Sequence, residues 1–204
     1  MDKLHIHMDS GTKCWFTSDQ HFGHNNIINF CHRPWKTLSD MEKALVDRWN
    51  EVVGKNDIVF MLGDFAFVKD QTIIPKIIKS LNAASIYIVL GNHDTADGFK
   101  KCDKRVKILS DITTVWISGW DEQKPQKEFE LVLSHFPLAT WSHFWRGVVN
   151  LHGHIHSGPG KFGEVDNPGI DLHLKPNLTY DVGVDNNRYY PVEIRDILTK
   201  LKKI

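Results

Sequence analysis

A run of five apolar residues, Ile86 to Leu90, constrains the fold of this chain more than any other feature. A short apolar run rich in β-branched and aromatic residues is typical of a buried strand. Gly91, Asn92, His93 and Asp94 follow it directly. In open α/β sheets, ligands bind in the crevice outside the carboxyl ends of the strands. The sequence therefore predicts that an amide oxygen, an imidazole and a carboxylate meet at a binding site.

Four further apolar runs are also followed by polar side chains with metal-binding atoms. They are Cys14 to Ser18, followed by Asp19 and His21; Asp57 to Leu62, followed by Gly63 and Asp64; Glu128 to Leu133, followed by Ser134 and His135; and Val148 to Leu151, followed by His152, His154 and His156. Oxygen and imidazole groups at five strand ends are the pattern of a metal site.

The composition places the chain among ordinary globular proteins. Its 204 residues are 41% hydrophobic and 25% charged, the fractions of an ordinary globular protein. This length predicts a single domain spanning 1–204. The formal net charge of zero gives no general attraction to nucleic acid or anionic lipid. Three cysteines without a C-x-x-C spacing argue against a disulfide framework and favour a reducing compartment. The start lacks an apolar signal region and no run of 18 apolar residues occurs, so we expect a cytoplasmic protein without a membrane partner.

Two helices are predicted between the first strands. Ser39 and Glu42 fit a capping box, and the helix that they open should present Leu45, Trp49 and Val52 on one face and end at Gly54. Residues 71–81 predict a second helix with a proline in its first turn. The basic stretch 98–105 is predicted to be a surface helix or loop, with its cations forming a solvated face or, alternatively, a phosphate-binding patch.

The remaining segments are assigned from turn and strand signals. Residues 1–12 are expected to form a loose leader, with an edge strand as the alternative. Residues 121–127 predict a hairpin turn between strands 115–117 and 129–133, and 157–176 predict a long loop that is functional or mobile. Residues 178–184 predict another strand, and 192–203 predict a closing helix.

The order of the polar blocks resembles that of the calcineurin-like metallophosphoesterase superfamily, from Trp15 to His156. This resemblance implies an αββα sandwich, in which two mixed β-sheets are flanked by helices and a metal site lies at the carboxyl ends of the strands. Many members have a second acid three residues after the Gly-Asp pair, whereas this chain continues with Phe65, Ala66 and Phe67. A carboxylate that supports the ligands is therefore either missing or supplied from elsewhere.

The resemblance also implies which residues hold two divalent ions. One ion would be bound by Asp19, His21, Asp64 and His156, and the other by Asp64, Asn92, His135 and His154. Asp64 is expected to bridge because it is central in the order and follows a glycine. Mixed imidazole and carboxylate ligands suit Mn, Fe, Zn, Ni or Co better than Mg or Ca. Two ions about 3.5 to 4 Å apart neutralise phosphoryl oxygens and acidify a bridging water that attacks phosphorus.

His93 is expected to be a catalytic residue that does not bind metal. It would protonate the leaving oxygen or bind a phosphoryl oxygen, and Asp94 would orient its ring. For His24, His143 and His152, a functional role and an ordinary structural role are both open, because no block of the superfamily requires these residues.

The sequence is compatible with three functions. The favoured one is hydrolysis of a small, nucleotide-like phosphodiester or phosphomonoester; the others are a nuclease of the same fold and a binding scaffold without turnover. Long nucleic acid is disfavoured because the chain lacks a basic excess. The aromatic cluster from Trp141 to Arg146 would either stack a base or pack beneath a helix.

Overall fold

The computed structural model describes residues 2–121, 125–157 and 177–204. Its strands are β1 (Asp2–His7), β2 (Cys14–Thr17), β3 (Ile58–Leu62), β4 (Ser85–Val89), β5 (Val106–Ile108), β6 (Ile112–Ser118), β7 (Phe129–Ser134), β8 (Val149–His152), β9 (Thr179–Asp181) and β10 (Val192–Glu193). Its helices are α1 (Ile27–Phe30), α2 (Leu38–Val52), α3 (Ile73–Ser80), α4 (Ala96–Phe99) and α5 (Ile194–Lys200), with a short 3₁₀ helix at Phe144–Arg146. Parts of two predicted segments, 122–124 of the turn and 158–176 of the loop, lie outside the described residues.

The strands form two mixed sheets of five strands each. Sheet I has the order β10-β2-β3-β4-β5, and sheet II has the order β1-β6-β7-β8-β9. Strands β2 to β5 run parallel in sheet I, as do β7 to β9 in sheet II, while β10 pairs antiparallel with β2 and β6 pairs antiparallel with β7. Two mixed sheets flanked by helices confirm the predicted fold class.

Alternate side chains of sheet I enter two different cores. Phe16 and Phe60 point toward sheet II, and their rings stack with centroids 5.2 Å apart. Trp15 and Val59 point to the other face, where they join the cluster that contains residues of α2 and α3. This alternation follows from the two-residue period of a strand, and burial on both faces explains why these strands are apolar throughout.

The structure corrects two predictions, one about the start of a helix and one about the first residues of the chain. Helix α2 is capped by Thr37, whose hydroxyl accepts from the Asp40 amide at 3.1 Å, so Ser39 is not the N-cap. Glu42 does not close a capping box either, because its carboxylate accepts from the Gly23 amide at 2.7 Å. The expected leader is also wrong: β1 is an edge strand that pairs in parallel with β6 over six residues.

Of two further predictions about the connecting segments, the position of the proline is confirmed, whereas Arg105 departs from the solvated face expected for the cations of the basic stretch. Helix α3 carries Pro75 in its first turn. Within the basic stretch, Arg105 donates to the carbonyls of Ile78, Leu81 and Ala83, which end α3 and the turn after it. Arg105 therefore has a structural role at this helix end, where a cation is favourable. None of the described helices is long and apolar enough to cross a membrane.

Candidate metal centre

The carboxyl ends of β2, β3 and β4 in sheet I meet those of β7 and β8 in sheet II. The contacts that join the sheets there include two hydrogen bonds from residues of sheet II to residues of sheet I. The Nδ1–H of His135, which follows β7, donates to the carbonyl of Leu62 at the end of β3, at 2.8 Å. The amide of His154, which follows β8, donates to the Asp19 carboxylate at 3.0 Å. The polar residues that follow separate strands are thus brought into one site.

Five of the candidate ligands have left-handed backbone conformations. Their φ angles are 60° at Asp19, 56° at His21, 53° at Asp64, 71° at His154 and 45° at His156. A residue other than glycine in this region costs of order 1 kcal/mol or more, and such strain is concentrated at functional sites. The turns after the strands therefore aim these side chains into one site at a conformational cost.

Two glycines allow the loops to approach each other closely. A Cβ on Gly91 would lie 2.2 Å from the Asp64 carboxylate and 2.4 Å from the Asp64 amide nitrogen. A Cβ on Gly153 would lie 2.2 Å from Ser18 Oγ and 2.4 Å from the Asp19 carboxylate. All four distances are shorter than any normal contact, so only glycine permits this packing at either position.

The first group of atoms that could bind a metal belongs to Asp19, His21 and His156, and these atoms all lie within 4.8 Å of one another. All three residues are buried. Among the described residues, His21 Nε2 has no hydrogen-bond partner. A buried nitrogen left without a partner is costly, and a bound cation would satisfy it.

The second group belongs to Asp64, His135 and His154, with Asn92 beside it. Because His135 holds a hydrogen on Nδ1, its Nε2 in the neutral ring is an acceptor. That atom lies 3.1 Å from Asn92 Oδ1 and 3.5 Å from Asp64 Oδ2. Three acceptors that converge in this way need a cation or a proton between them. The residues therefore fit a divalent metal with nitrogen and oxygen ligands.

Asp64 lies between the two groups. Its Oδ2 is 3.6 Å from His21 Nε2 and 3.5 Å from His135 Nε2, so one carboxylate oxygen faces an imidazole of each group. Asp64 Oδ1 accepts from the His93 amide at 2.9 Å, which fixes the orientation of the carboxylate.

Burial and neighbouring groups shift the pKa values of the site residues in different directions. Burial raises the pKa of Asp19 to about 6. Burial also acts to raise the pKa of Asp64, but the hydrogen bond and charge of His135 outweigh it and hold the pKa below its usual value. The pKa of His21 is lowered, chiefly by burial, so this imidazole is neutral as a metal ligand must be.

A second layer of contacts orients His156. Its Nδ1–H donates to Asp185 Oδ2 at 2.7 Å. Asp185 also forms a bidentate ion pair with the buried guanidinium of Arg33, whose Nε donates to Oδ1 at 2.9 Å and whose Nη2 donates to Oδ2 at 2.8 Å. Arg33 then donates to the carbonyls of Asp19 and Gln20. Burial alone would lower the pKa of His156, but the bond to Asp185 is the strongest opposing effect and the pKa rises to about 11.

Sequence reasoning missed both Asp185 and Arg33. A signal for Asp185 was present, because this carboxylate directly follows the strand predicted over 178–184, like the candidate ligands. The structure ends that strand at Asp181 but keeps a parallel bridge between Ser18 and Gly183, which carries Asp185 to the site. Arg33 follows the short helix α1, and no pattern in the sequence marks it.

The structure gives Asp94 a different task from the predicted one. Its Oδ1 accepts from the Phe65 amide at 3.0 Å and its Oδ2 accepts from the Gly91 amide at 3.0 Å, so the carboxylate ties the β3 and β4 loops together instead of orienting the His93 ring. Asp94 thus supplies a supporting carboxylate beside Phe65, where the sequence lacks the expected second acid. His93 is one-third exposed, with Nε2 3.9 Å from Asp64 Oδ2.

Two of the three histidines left open have contacts typical of structural residues. His143 donates to the Glu130 carboxylate at 2.8 Å, and the buried His152 donates to the carbonyl of Gly153 at 3.1 Å. His24 lies at the site, with its Nδ1 3.2 Å from Nδ1 of His21. If His21 binds a metal through Nε2, its Nδ1–H donates to His24, which then fixes the His21 ring.

Comparison with known proteins agrees with this geometry. The sequence model of the calcineurin-like phosphoesterase family matches residues 12–174, most of the chain. The chain belongs to this family. Metal-dependent hydrolysis of phosphoesters is the general chemistry of calcineurin-like phosphoesterases, and the paired groups of His and Asp are consistent with it.

Two relatives and one solved structure resemble this phosphoesterase along much of its length. An uncharacterized protein of Methanocaldococcus jannaschii is 28% identical over 93% of this chain and 90% of its own. The gene 66 protein of Mycobacterium phage D29 is 28% identical over 70% of this chain and 78% of its own. The crystal structure of a protein of unknown function from Aquifex aeolicus superposes with a TM-score of 0.64 at 23% identity, covering 93% of this chain and 99% of that one, and supports the fold.

Proposed function

We propose that this phosphoesterase hydrolyses small, nucleotide-like phosphodiesters or phosphomonoesters with a pair of divalent transition-metal ions. The observation that carries the proposal is the position of Asp64 Oδ2, 3.6 Å from His21 Nε2 and 3.5 Å from His135 Nε2. The proposed ligands are Asp19, His21, Asp64 and His156 for one ion, and Asp64, Asn92, His135 and His154 for the other. When bound, such ions neutralise phosphoryl oxygens and lower the pKa of a water toward neutrality.

The protein provides the anion that makes two neighbouring cations tolerable. Asp64 is nearly fully buried and His93 donates its amide to the carboxylate, so the negative charge is held in a fixed position. His135 is held by Leu62 and His156 by Asp185, which leaves Nε2 of both imidazoles directed at the site. This fixed arrangement costs no reorganisation when a substrate arrives.

His93 is the proposed general acid. Its imidazole is one-third exposed, and its Nε2 faces Asp64 at a distance of 3.9 Å. A group that reaches both the solvent and the reacting phosphoryl can donate a proton to a leaving oxygen. A positioned acid of this kind contributes roughly 10²- to 10⁴-fold to the rate.

Small substrates are favoured over long nucleic acid on electrostatic grounds. The chain has 25 basic and 25 acidic residues, so neutralising many phosphates along a strand would bring little of the counterion-release energy that drives such binding. A short phosphoester needs only the metal centre and a few nearby contacts.

A substrate panel tests the proposal. Bis(4-nitrophenyl) phosphate, 4-nitrophenyl phosphate, cyclic nucleotides and single-stranded DNA would be incubated with purified protein and added Mn²⁺ or Ni²⁺. We expect turnover of a small ester that EDTA abolishes and metal restores. Efficient cutting of single-stranded DNA, with weak turnover of small esters and a steep loss of rate with salt, would replace this proposal with a nuclease. No cleavage of any ester with metal present would leave only a binding scaffold.

A further inference from the structure

A half-exposed phenylalanine stands beside the candidate metal centre. Phe67 keeps 49% of its surface exposed. Its ring meets that of His93 edge-on at 4.9 Å between centroids, and the ring of His24 at 4.7 Å. Concave binding sites are commonly lined by aromatic side chains, and this half-exposed ring is in a position to contact a ligand.

The backbone holds this phenylalanine in place. The Phe67 amide donates to the carbonyl of Phe22 at 2.8 Å, and Phe22 and Ala66 form a parallel bridge. A Cβ on Gly23 would lie 2.2 Å from the Val68 side chain and 3.0 Å from the Phe67 carbonyl, so the two loops are packed together closely. The ring is therefore presented by a fixed backbone, which lowers the entropy cost of stacking on it.

A cleft of about 460 Å³ opens on the Phe67 side of the site. Besides Phe67 and His24, its walls include Asn25, Asn26 and Lys69. Both asparagines are exposed, and the Asn26 side chain does not cap the helix that follows it. The cleft thus offers an aromatic face together with amide donors and acceptors. A flat, polar-edged ring system has the matching chemistry.

We propose that this cleft, walled by Phe67, His24, Asn25 and Asn26, is the nucleobase subsite of the phosphoesterase. The base stacks on Phe67, the two asparagines bind its edge, and the phosphate of the same molecule reaches the metal centre past His93. This inference rests on the proposed function and names the group that the enzyme recognises besides the phosphate. Base stacking was one of the two alternatives for the cluster at 141–146. There Phe144 is buried and Trp141 donates to the carbonyl of Val148, whereas Trp145 is exposed.

Two diesters that differ only in the base provide the kinetic test. Thymidine 5′-(4-nitrophenyl phosphate) and the same ester of 1,2-dideoxyribose have the same leaving group, so the ratio of their kcat/KM values reports recognition of the base. We expect a ratio of about 5- to 150-fold in favour of thymidine, the range given by stacking one base on an aromatic side chain. Phe67→Leu should bring the ratio close to one, and Phe67→Trp should keep it.

Phe136 provides a matched control. It is 48% exposed and its ring lies 4.4 Å from that of His154, yet it is not part of the cleft wall. Phe136→Leu should therefore leave the ratio as in the wild type. A ratio of one in the wild type, or a ratio that survives Phe67→Leu, would overturn the subsite.

Direct binding separates this inference from the proposed function. Calorimetry with the methylenephosphonate analogues of thymidine 5′-monophosphate and 2-deoxyribose 5-phosphate, whose P–C bonds are not hydrolysed, measures the contribution of the base without turnover, and NMR follows the side-chain amides of Asn25 and Asn26. We expect tighter binding of the nucleotide, lost in Phe67→Leu, with shifts of both amides. Equal binding of the two ligands overturns the subsite even if both esters are hydrolysed. Base-dependent binding without hydrolysis supports the subsite and rejects the proposed function.

Discussion

Asp185→Asn is the substitution that best tests how the second layer supports the metal centre. Asp185 Oδ2 accepts from both His156 Nδ1 and Arg33 Nη2, while Oδ1 accepts from Arg33 Nε. An asparagine has one oxygen and one NH₂ group. Whichever way the amide is turned, at least one N–H of Arg33 or His156 faces another donor. The side chains of Arg33 and Asp185 are 0% and 2% exposed, so water cannot replace the lost contact.

Breaking a buried ion pair by removing one charge costs about 3 to 5 kcal/mol. We expect a loss near the lower end, about 3 kcal/mol, because the asparagine oxygen still accepts one hydrogen bond. Urea unfolding of the EDTA-treated protein measures this loss. Freeing the ring of a proposed histidine ligand should also weaken the intrinsic metal affinity by about 10- to 100-fold. This affinity is measured by competition with a chelating dye at several pH values and corrected for the protons that the metal displaces.

Asp47→Asn is the control for a change of the same chemical kind. Asp47 pairs with Lys43 one helical turn away, and both side chains are mostly exposed. This substitution should cost about 0.3 to 0.5 kcal/mol and leave metal affinity unchanged. If Asp185→Asn were no more destabilising than Asp47→Asn and bound metal equally well, the support assigned to Asp185 would be refuted.

Three further predictions concern the site itself. His93→Ala should leave the metal content unchanged and lower the turnover of esters with alkoxide leaving groups by about 10²- to 10⁴-fold. The loss on nitrophenyl esters should be far smaller. Equal losses on both kinds of ester, measured by steady-state kinetics, would exclude an acid role for His93. Gly91→Ala should lower the metal content and should lower the free energy of unfolding by about 1 to 3 kcal/mol, because its Cβ would lie 2.2 Å from the Asp64 carboxylate. Gly54→Ala is the control in the same urea melts, because its φ also lies outside the left-handed region and its Cβ would lie 3.3 Å from the nearest neighbouring side chain. Metal uptake should release the proton of His156, because the pKa of this ring in the metal-free protein is raised to about 11, so metal affinity should rise with pH across the neutral range. Calorimetry in buffers of different ionisation enthalpy counts the released protons. Metal uptake without proton release would contradict this prediction.

The fold and the candidate ligands could be predicted because both follow from the same local pattern. An apolar run marks a strand buried on both faces, and the polar residues directly after it mark the carboxyl end, as with Leu62 before Asp64 and Val89 before Asn92. Parallel pairing then places these ends at one edge without further information. The assignment of these residues as ligands remains a prediction that metal analysis must test.

The parts that sequence reasoning missed depend on contacts between distant segments. Arg33 and Asp185 are 152 positions apart, and nothing local to either residue indicates the pairing. Asp94 was expected to orient the His93 ring, yet its oxygens accept from the amides of Phe65 and Gly91. These contacts depend on the backbone conformation of the loops, which the sequence does not specify residue by residue.

The most direct test of the account is the metal content of Asp64→Asn. Wild-type protein and the variant would be loaded with Mn²⁺, desalted and measured by elemental analysis, with circular dichroism to confirm that the variant is folded. Because the charge of one carboxylate makes two neighbouring cations tolerable, we expect two ions per chain in the wild type and the loss of both in the variant. Asp64→Asn protein that retains two ions, or that loses only one, would contradict the assignment of Asp64 as the bridge between them.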